Sequence, residues 1–568
     1  MLTIDTDTTE SRNQSVPLED YDTFGADRPL VEALRREGAA WAQPRAHALG
    51  ALAGSAELLA AGRDANRFKP ELRTFDRFGH RIDEVSYHPA YHRFMALAVE
   101  HELHALPWRP AVSPPATPEP GEQVHRGKSD EPSAHAARAA LFMTLSRAEA
   151  GHGCPISMTY SAVPALRATP EVAAEWEPRI AATTYEPRLG VGGDGFPKRS
   201  AIVGMAMTEK QGGSDVRANI TVAEPADGAY RLTGHKWFCS APMCDLFLVL
   251  AQTKEGLSCF ALPRVTPDGG RNALRIERLK DKLGNCSNAS AEIELHGAYA
   301  QLVGEPGRGV RTIIEMVGHT RLDCVLGSTA GMRTATEQAI HHARHRAAFG
   351  RLLVEQPAMR NVLADLAVES EAATVTAMRL ARAYDESGAD EAAGHFKRLA
   401  TAVAKYWICK RGPGHAAEAV ECLGGNGYVE DWPLARVYRE QPVMSIWEGS
   451  GNVIALDVLR ALARTPAALG VFLDEVELAR GAEPRLDAYV DALKADLADP
   501  AELESRARRV VERMALALQG SLLVRHSPPA VADAFCATRL AGAGGLTYGT
   551  LPAGTDAGAI IERHAPAG

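Results

Sequence analysis

The hydrophobic spacing of this chain changes period twice, and those changes order its parts. Over 30–108 apolar patches alternate with Arg, His and Glu at helical spacing, and a second helical run resumes at Ala134. That run passes through Gly151-His152-Gly153-Cys154-Pro155 to about Leu166. Between about 200 and 309 the apolar runs become short and rich in β-branched residues, at 201–206, 219–223, 230–238, 246–252, 258–263 and 291–295, with Asp227-Gly228 as a hairpin signal. Beyond Gly304-Glu305-Pro306-Gly307-Arg308-Gly309, long helical patterns return at 310–317, 322–345, 357–384 and 396–423. The order predicts an α+β chain: an N-terminal helical domain over 29–199, a central antiparallel β domain over 200–309, a C-terminal four-helix bundle over 310–462 and a helical extension over 463–568. Residues 1–28 are polar and acidic and predict a loosely held arm, while the prolines between 109 and 133 predict an exposed loop.

Composition removes several classes of function. With 71 acidic against 62 basic side chains, the net charge of −9 offers no global attraction for nucleic acid or an anionic membrane. Nine cysteines without a CxxC pair suggest neither a zinc ribbon nor a secreted disulfide framework, and fit a reducing cytoplasm. The N-terminus has no signal core, and no later run approaches the length that spans a bilayer. His341, His342 and His345 include an i, i+4 pair, but Arg344 and Arg346 surround them and no acidic or cysteine partner is evident; they predict a solvated helix face and no metal site.

One stretch carries chemistry. Ser445-Ile446-Trp447-Glu448-Gly449-Ser450-Gly451-Asn452 sets a carboxylate among small residues just before a helical run continuing through Val453, Ile454, Leu456 and Leu459. Ser450 or Asn452 can cap that helix and leave amide donors free at its start. On these residues alone Glu448 is either a presented base or a first-turn acid favoured by the helix dipole.

Three further segments give a wider pattern: Met207-Thr208-Glu209-Lys210-Gln211-Gly212-Gly213-Ser214-Asp215-Val216, then His235-Lys236-Trp237-Phe238-Cys239-Ser240, then Leu423-Gly424-Gly425-Asn426-Gly427-Tyr428. In wording and order they resemble the acyl-CoA dehydrogenase flavoprotein family. Together with Lys280-Asp281-Lys282-Leu283-Gly284-Asn285-Cys286-Ser287-Asn288-Ala289-Ser290, they look most like its AidB branch, flavoproteins of the bacterial adaptive response to alkylation damage. The resemblance runs from about Leu30 to about Ala541, and the helical, β, helical order matches that family's fold.

The resemblance implies FAD. Oxidising a saturated acyl thioester needs a base for the α proton and a hydride acceptor, which no side chain provides. Thr208 and the backbone around Gly213 and Ser214 would bond the pyrimidine side of the flavin, while Trp237, Phe238 and Ser240 would cover one face and bond near N5. Arg346-Ala347-Ala348-Phe349-Gly350 and Gln356 resemble the element that holds the flavin diphosphate and adenine of a neighbouring subunit, with Gly424 and Gly425 near the same diphosphate. Sites shared in this way imply a homotetramer, a dimer of dimers. Two departures stand out: Pro357 occupies the position where the family pattern has Gln, and Glu421 stands where it has Gln, so Glu421 is expected to point away or toward the ribose or adenine. One branch carries its glutamate on the early bundle helix, where this chain has Thr320 before Arg321, which leaves Glu448 as the base, desolvated by Trp447 and the flavin. Asn452 would contact the flavin or cap its helix, and Ser450 would stand beside it.

Three functions follow: an FAD-dependent acyl-CoA dehydrogenase or oxidase acting on a small or branched acyl group; an AidB-type protein that protects duplex DNA and has weak dehydrogenase activity; and a specialised flavin oxidase or monooxygenase on a non-CoA substrate. Arg506, Arg508, Arg509 and Arg513 resemble a DNA-facing stripe. However, Glu502, Glu504 and Glu512 interleave with them, and the chain from Ala461 onward holds 11 basic against 14 acidic residues, which favours a salt-bridged helix face.

Overall fold

A computed structural model of the chain describes residues 12–109, 133–190, 198–499 and 501–566. The predicted proline-rich loop lies almost wholly outside the described residues.

The first region carries helices α1 (Arg28–Arg36), α2 (Gln43–Ala53), α3 (Ala56–Arg67), α4 (Pro89–Glu100), α5 (Ala134–Ser146), α6 (Gly153–Leu166) and α7 (Pro170–Ile180). Asp27 caps α1 by accepting from the Leu30 amide, and Ser55 caps α3 by accepting from Leu58. Proline opens α4 and α7, where its missing N–H costs nothing. Between α3 and α4 the chain forms a hairpin of β1 (Glu71–Phe75) and β2 (Arg81–Ser86), where helix was expected. Its first strand is largely exposed, so no apolar alternation marks it.

The central region is a seven-stranded sheet of β3 (Val203–Ala206), β4 (Val222–Ala226), β5 (Ala229–Ser240), β6 (Leu246–Thr253), β7 (Gly256–Pro263), β8 (Leu274–Leu279) and β9 (Ser290–Val303). It is mixed rather than antiparallel throughout: β3 runs parallel to β6, Val203 opposite Leu246. The connection that makes this possible includes 207–221, so the Thr208–Ser214 motif is a crossover at the sheet margin. Strand β8, unforeseen, pairs with β9.

Helix α8 (Gly309–His345) is continuous, where two helices broken near Gly318 were expected. The Tyr384 hydroxyl donates to the Gly318 carbonyl at 2.6 Å, so the glycine admits a neighbouring helix rather than ending its own. After a short hairpin, β10 (Ala347–Ala348) and β11 (Arg351–Leu352), come α9 (Pro357–Glu386), α10 (Glu391–Cys422), α11 (Gly425–Tyr428), α12 (Pro433–Met444) and α13 (Gly451–Arg464). The bundle is therefore α8, α9 and α10 closed by α12 and α13. The extension α14 (Pro466–Glu477), α15 (Pro484–Ala498), α16 (Ala507–His526), α17 (Pro529–Phe535) and α18 (Ala557–His564) packs on α9 and α10.

One hydrophobic cluster runs from Phe24 through the sheet to Ile561, so the three regions share a core. The segment expected as a loose arm belongs to it from Thr23 onward, with Phe24 fully buried. Burying such a ring contributes roughly 2–3 kcal/mol. Asp27, Arg147, Arg333 and Glu337 form a buried charge network that ties this segment to α5 and α8.

Candidate active site

Glu448 stands on the turn between α12 and α13 with left-handed backbone, φ 57°, and Gly449 follows at φ 110°. Holding a non-glycine residue there costs about 1–3 kcal/mol, and two cations oppose that cost. Arg321 Nε donates to the Glu448 carbonyl at 3.0 Å, and Lys405 Nζ to the Gly449 carbonyl at 2.5 Å. Asp457 on α13 in turn accepts from Arg321 at 2.7 Å and from Arg398 at 2.8 Å. The cations thus clamp the main chain and leave the side chain for other work.

Glu448 Oε2 is buried and has no hydrogen-bond partner. Burial raises its pKa above the ordinary 4.5, against the Thr320 hydroxyl, Arg321 and Lys405, which pull it down. Thr320, at the position where another branch of the resembling family keeps its glutamate, is therefore a neighbour of Glu448. Trp447 packs with Val443 on Cys324, Cys409 and Met444. The Cys154 thiol, at the start of α6, lies beside Ser240, at the end of β5, and Asn288, and is near enough to Glu448 to feel its charge. Burial pushes that thiol up to about 11, so it stays protonated. A cavity of about 460 Å³ lies just behind this wall, lined by Pro155, Ala241, Tyr87, Tyr91 and Tyr185; it does not include Glu448.

The crossover loop rests on a pair that sequence reasoning passed over. Glu209 and Lys236, both fully buried, meet at 2.7 Å; Glu209 also accepts from the Ile220 amide at 2.7 Å, and Lys236 donates to the Leu250 carbonyl at 2.7 Å. The Trp237 amide donates to the Thr208 carbonyl at 2.8 Å, and a Cβ on Gly213 would stand 2.4 Å from Thr208 Oγ1. Thus the loop end touches the strand end, with Ser214 exposed beside it. The Lys280 ammonium lies 3.4 Å from the Trp237 ring centroid, with Lys210 at 5.9 Å and Arg278 at 5.8 Å, so the ring carries cations at its face. Phe238 is 49% exposed, with the same Lys280 ammonium 4.7 Å from its ring centroid.

Ser450 is the N-cap residue of α13 but makes no side-chain cap bond. Asn452 does not cap either; its Oδ1 accepts from Arg508 Nε of α16 at 2.8 Å. The rest of the arginine stripe is spent within the extension: Arg506 donates to the Asp499 carbonyl at 2.6 Å, and Arg509 and Arg513 pair with Asp496. These partners are Asp496 and Asp499 rather than the interleaved glutamates.

Arg346, Phe349, Gln356, Gly424 and Gly425 gather elsewhere. Arg346, the residue that ends α8, lies 25 residues beyond Arg321 along that continuous helix, about 37 Å at the rise of an α-helix. Phe349 (φ 52°) and Gly350 (φ 79°) form the hairpin tip, where Phe349 is fully exposed, and Gln356 Nε2 braces the hairpin by donating to the Ala348 carbonyl at 2.9 Å. Gly424, at φ 58° and ψ −136°, has open space over its Cα, as does Gly425. The N-terminal segment joins these pieces. Asn13 donates to the Ala347 carbonyl at 2.9 Å and accepts from its amide at 2.7 Å, Arg346 donates to the Asn13 carbonyl at 2.7 Å, and Asn426 donates to Gln14 at 3.1 Å. The histidines expected on a solvated face take part: His341 Nε2 is 2.7 Å from the Val16 carbonyl, and buried His342 is 3.0 Å from Ser15 Oγ. Glu421 is exposed at the end of α10.

Models of three protein families match the chain in sequence order: the adaptive response protein AidB N-terminal domain over residues 13–187, the acyl-CoA dehydrogenase middle domain over 204–298 and the acyl-CoA dehydrogenase C-terminal domain over 307–463. AidB of Escherichia coli (strain K12) is 44% identical over 536 residues, 94% of this chain and 95% of that protein. Among solved structures, Caenorhabditis elegans ACDH-11 in complex with C11-CoA superposes with a TM-score of 0.82 at 26% identity, covering 94% of this chain and 93% of that one. The apo form of Bd2924 gives 0.80 at 27% identity, over 90% and 99%. Helical, sheet and bundle regions, the turn that carries Glu448 and a relative matched along nearly its whole length converge: this chain has the acyl-CoA dehydrogenase fold and belongs to that family as a homologue of AidB.

Proposed function

We propose that the protein is an FAD-dependent oxidoreductase that converts a saturated acyl thioester to its α,β-unsaturated form, with Glu448 as the base. The observation that carries this reading is the buried, unpartnered Oε2 of Glu448, held on a strained turn whose carbonyls, not its carboxylate, receive the nearby cations. A carboxylate arranged in this way has its basicity raised and its position fixed, as proton abstraction from a weak carbon acid requires. FAD, when bound, supplies the acceptor for the β hydride.

The residues present fit that cofactor. Thr208, Gly213, Ser214, Trp237, Phe238 and Ser240 would hold it from the sheet, and Trp447, Ser450 and Asn452 from the turn, where the first amides of α13 lack side-chain caps. Arg346, Phe349, Gln356, Gly424 and Gly425 would be supplied by a second copy. About 37 Å of α8 lies between Arg321, which holds the Glu448 carbonyl, and Arg346, and Phe349 and the Gly424 loop are open in this chain. This supports a homo-oligomer, read as a dimer of dimers.

The test is anaerobic titration of the purified protein with saturated acyl-CoAs, short, branched and medium-chain. Undecanoyl-CoA belongs in the panel because the nematode neighbour was solved with C11-CoA. Heat-released FAD near one per chain and bleaching by at least one thioester are expected; a yellow protein that none of them bleaches would refute the dehydrogenase reading. The DNA-protection alternative gains nothing from the described residues of the extension, where Arg506, Arg509 and Arg513 are engaged with the backbone or Asp496.

A further inference from the structure

The 280–290 loop, singled out by resemblance but without a role, places a cation directly behind Ser240. Lys282 Nζ donates to the Asn288 carbonyl at 2.5 Å and to Ser290 Oγ at 3.1 Å, and Ser290 Oγ lies 3.1 Å from Ser240 Oγ across the β5–β9 pair. An ammonium can only donate. Accepting from an ammonium makes the Ser290 hydroxyl a better donor and a poorer second acceptor, which favours its single proton going to Ser240 and the Ser240 proton pointing to the side where the Cys154 thiol lies. Without the lysine the two hydroxyls could point either way. The ammonium biases the polarity of the row, and polarisation along it strengthens the last donor.

The loop is held too firmly for Lys282 to be a wandering surface side chain. A Cβ on Gly284 would stand 2.2 Å from the Arg439 carbonyl of α12, and one on Gly151 would stand 1.8 Å from Ser287 Oγ. The Asn285 amide donates to both Glu440 oxygens at 2.9 Å, and Ser287 donates to Glu149 at 2.8 Å. The loop is thereby pinned to α12 and to the turn before α6, the elements that lead into Glu448 and Cys154. Burial lowers the pKa of Lys282, opposed by Glu440 nearby, and its two hydrogen bonds, to the Asn288 carbonyl and to Ser290 Oγ, are what hold the ammonium in place.

We propose that Lys282 is a positioning residue of the redox site: through Ser290 it turns the Ser240 hydroxyl proton toward the bound ligand and brings positive charge to the edge of the cofactor that gains electrons. This rests on the FAD reading above. Removing the charge or breaking the row disfavours the reduced, more negative cofactor and lowers its midpoint potential.

The experiment measures the potential of bound FAD in wild type, Lys282→Met, Lys282→Arg, Ser290→Ala and the Lys282→Met/Ser290→Ala pair, each at known flavin occupancy. Lys282→Met and Ser290→Ala should each shift the ratio of oxidised to reduced flavin at fixed potential about tenfold toward oxidised, about 30 mV for a two-electron couple. The pair should shift it no further than either alone, because both cut one row, and Lys282→Arg should restore most of the shift. A purely structural lysine would lower melting temperature and occupancy while the flavin that remains keeps its potential; that outcome overturns the proposal, as do additive shifts. If Lys282→Met does not fold, Ser290→Ala alone decides by the same criterion. A wild type that takes up no FAD would remove the cofactor reading and this proposal with it, whereas a yellow wild type with unmoved variants removes this proposal alone.

Discussion

Replacing Glu448 by Gln separates the catalytic use of this carboxyl from its cost to the fold. The amide keeps the shape, and the clamps on the turn persist because Arg321 and Lys405 hold main-chain carbonyls at 3.0 and 2.5 Å, not the carboxylate. Thioester-driven bleaching should fall by at least a factor of about a hundred, the lower end of what a positioned general base supplies. Stability should move the other way. Burial raises the folded pKa of Glu448 above the ordinary 4.5, so between those two values the folded state holds a proton that the unfolded state has lost. Wild-type stability therefore falls as pH rises from 4.5 to the folded pKa and is level beyond it, by roughly 1.4 kcal/mol per unit of displacement. The Gln variant lacks this titration. Urea denaturation of both proteins from pH 4 to 8, at matched flavin content, should show the variant gaining on the wild type as pH rises. A constant offset across that range would mean that the carboxyl is not the desolvated group described here, and bleaching at the wild-type rate would mean that it is not the base.

Three other outcomes are expected. Arg346→Ala should lower both flavin retention and assembly, read as flavin content across a size-exclusion profile; Asn13→Ala, which frees the hairpin from its two bonds to Ala347, should weaken retention in the same direction. Lys236→Met leaves the Glu209 carboxylate fully buried without its partner and should cost about 3–5 kcal/mol in chemical denaturation, much of it recovered in the Glu209→Gln/Lys236→Met pair. Glu369 would be raised by burial alone, but Arg411 and Arg539 hold it down to about 2, so its contribution is full above the ordinary 4.5 and is lost as pH falls toward 2; Glu369→Gln should flatten that part of the acid-unfolding curve.

What the sequence made legible follows from what each pattern encodes. The order of helical and β regions is visible because each long element buries one face, and seven helices from α4 onward announce their first turn with a proline. The β1–β2 hairpin is silent because its exposed first strand needs no apolar alternation, and Gly318 misleads because a glycine that receives Tyr384 looks in sequence like one that ends a helix. Glu448 stands out because a carboxylate among small residues before a helix is a local pattern. Its neighbours do not, because Thr320, Arg321 and Lys405 come from helices whose spacing reports only their core face, and their contacts with the turn span 44 residues for Lys405 and 127 for Arg321. Glu209 and Lys236 went unread although each sits inside a quoted motif, because a buried charge declares itself only through a partner that lies 27 residues away. The same logic separates the two halves of the cofactor site. The end of β5 and the Glu448 turn both act on Cys154, while Arg346 and the Gly424 loop are joined, among the described residues, through the N-terminal segment. If both belong to one cofactor site, as proposed, two chains have to supply it, and the run of α8 from Arg321 to Arg346 is the ground for that reading.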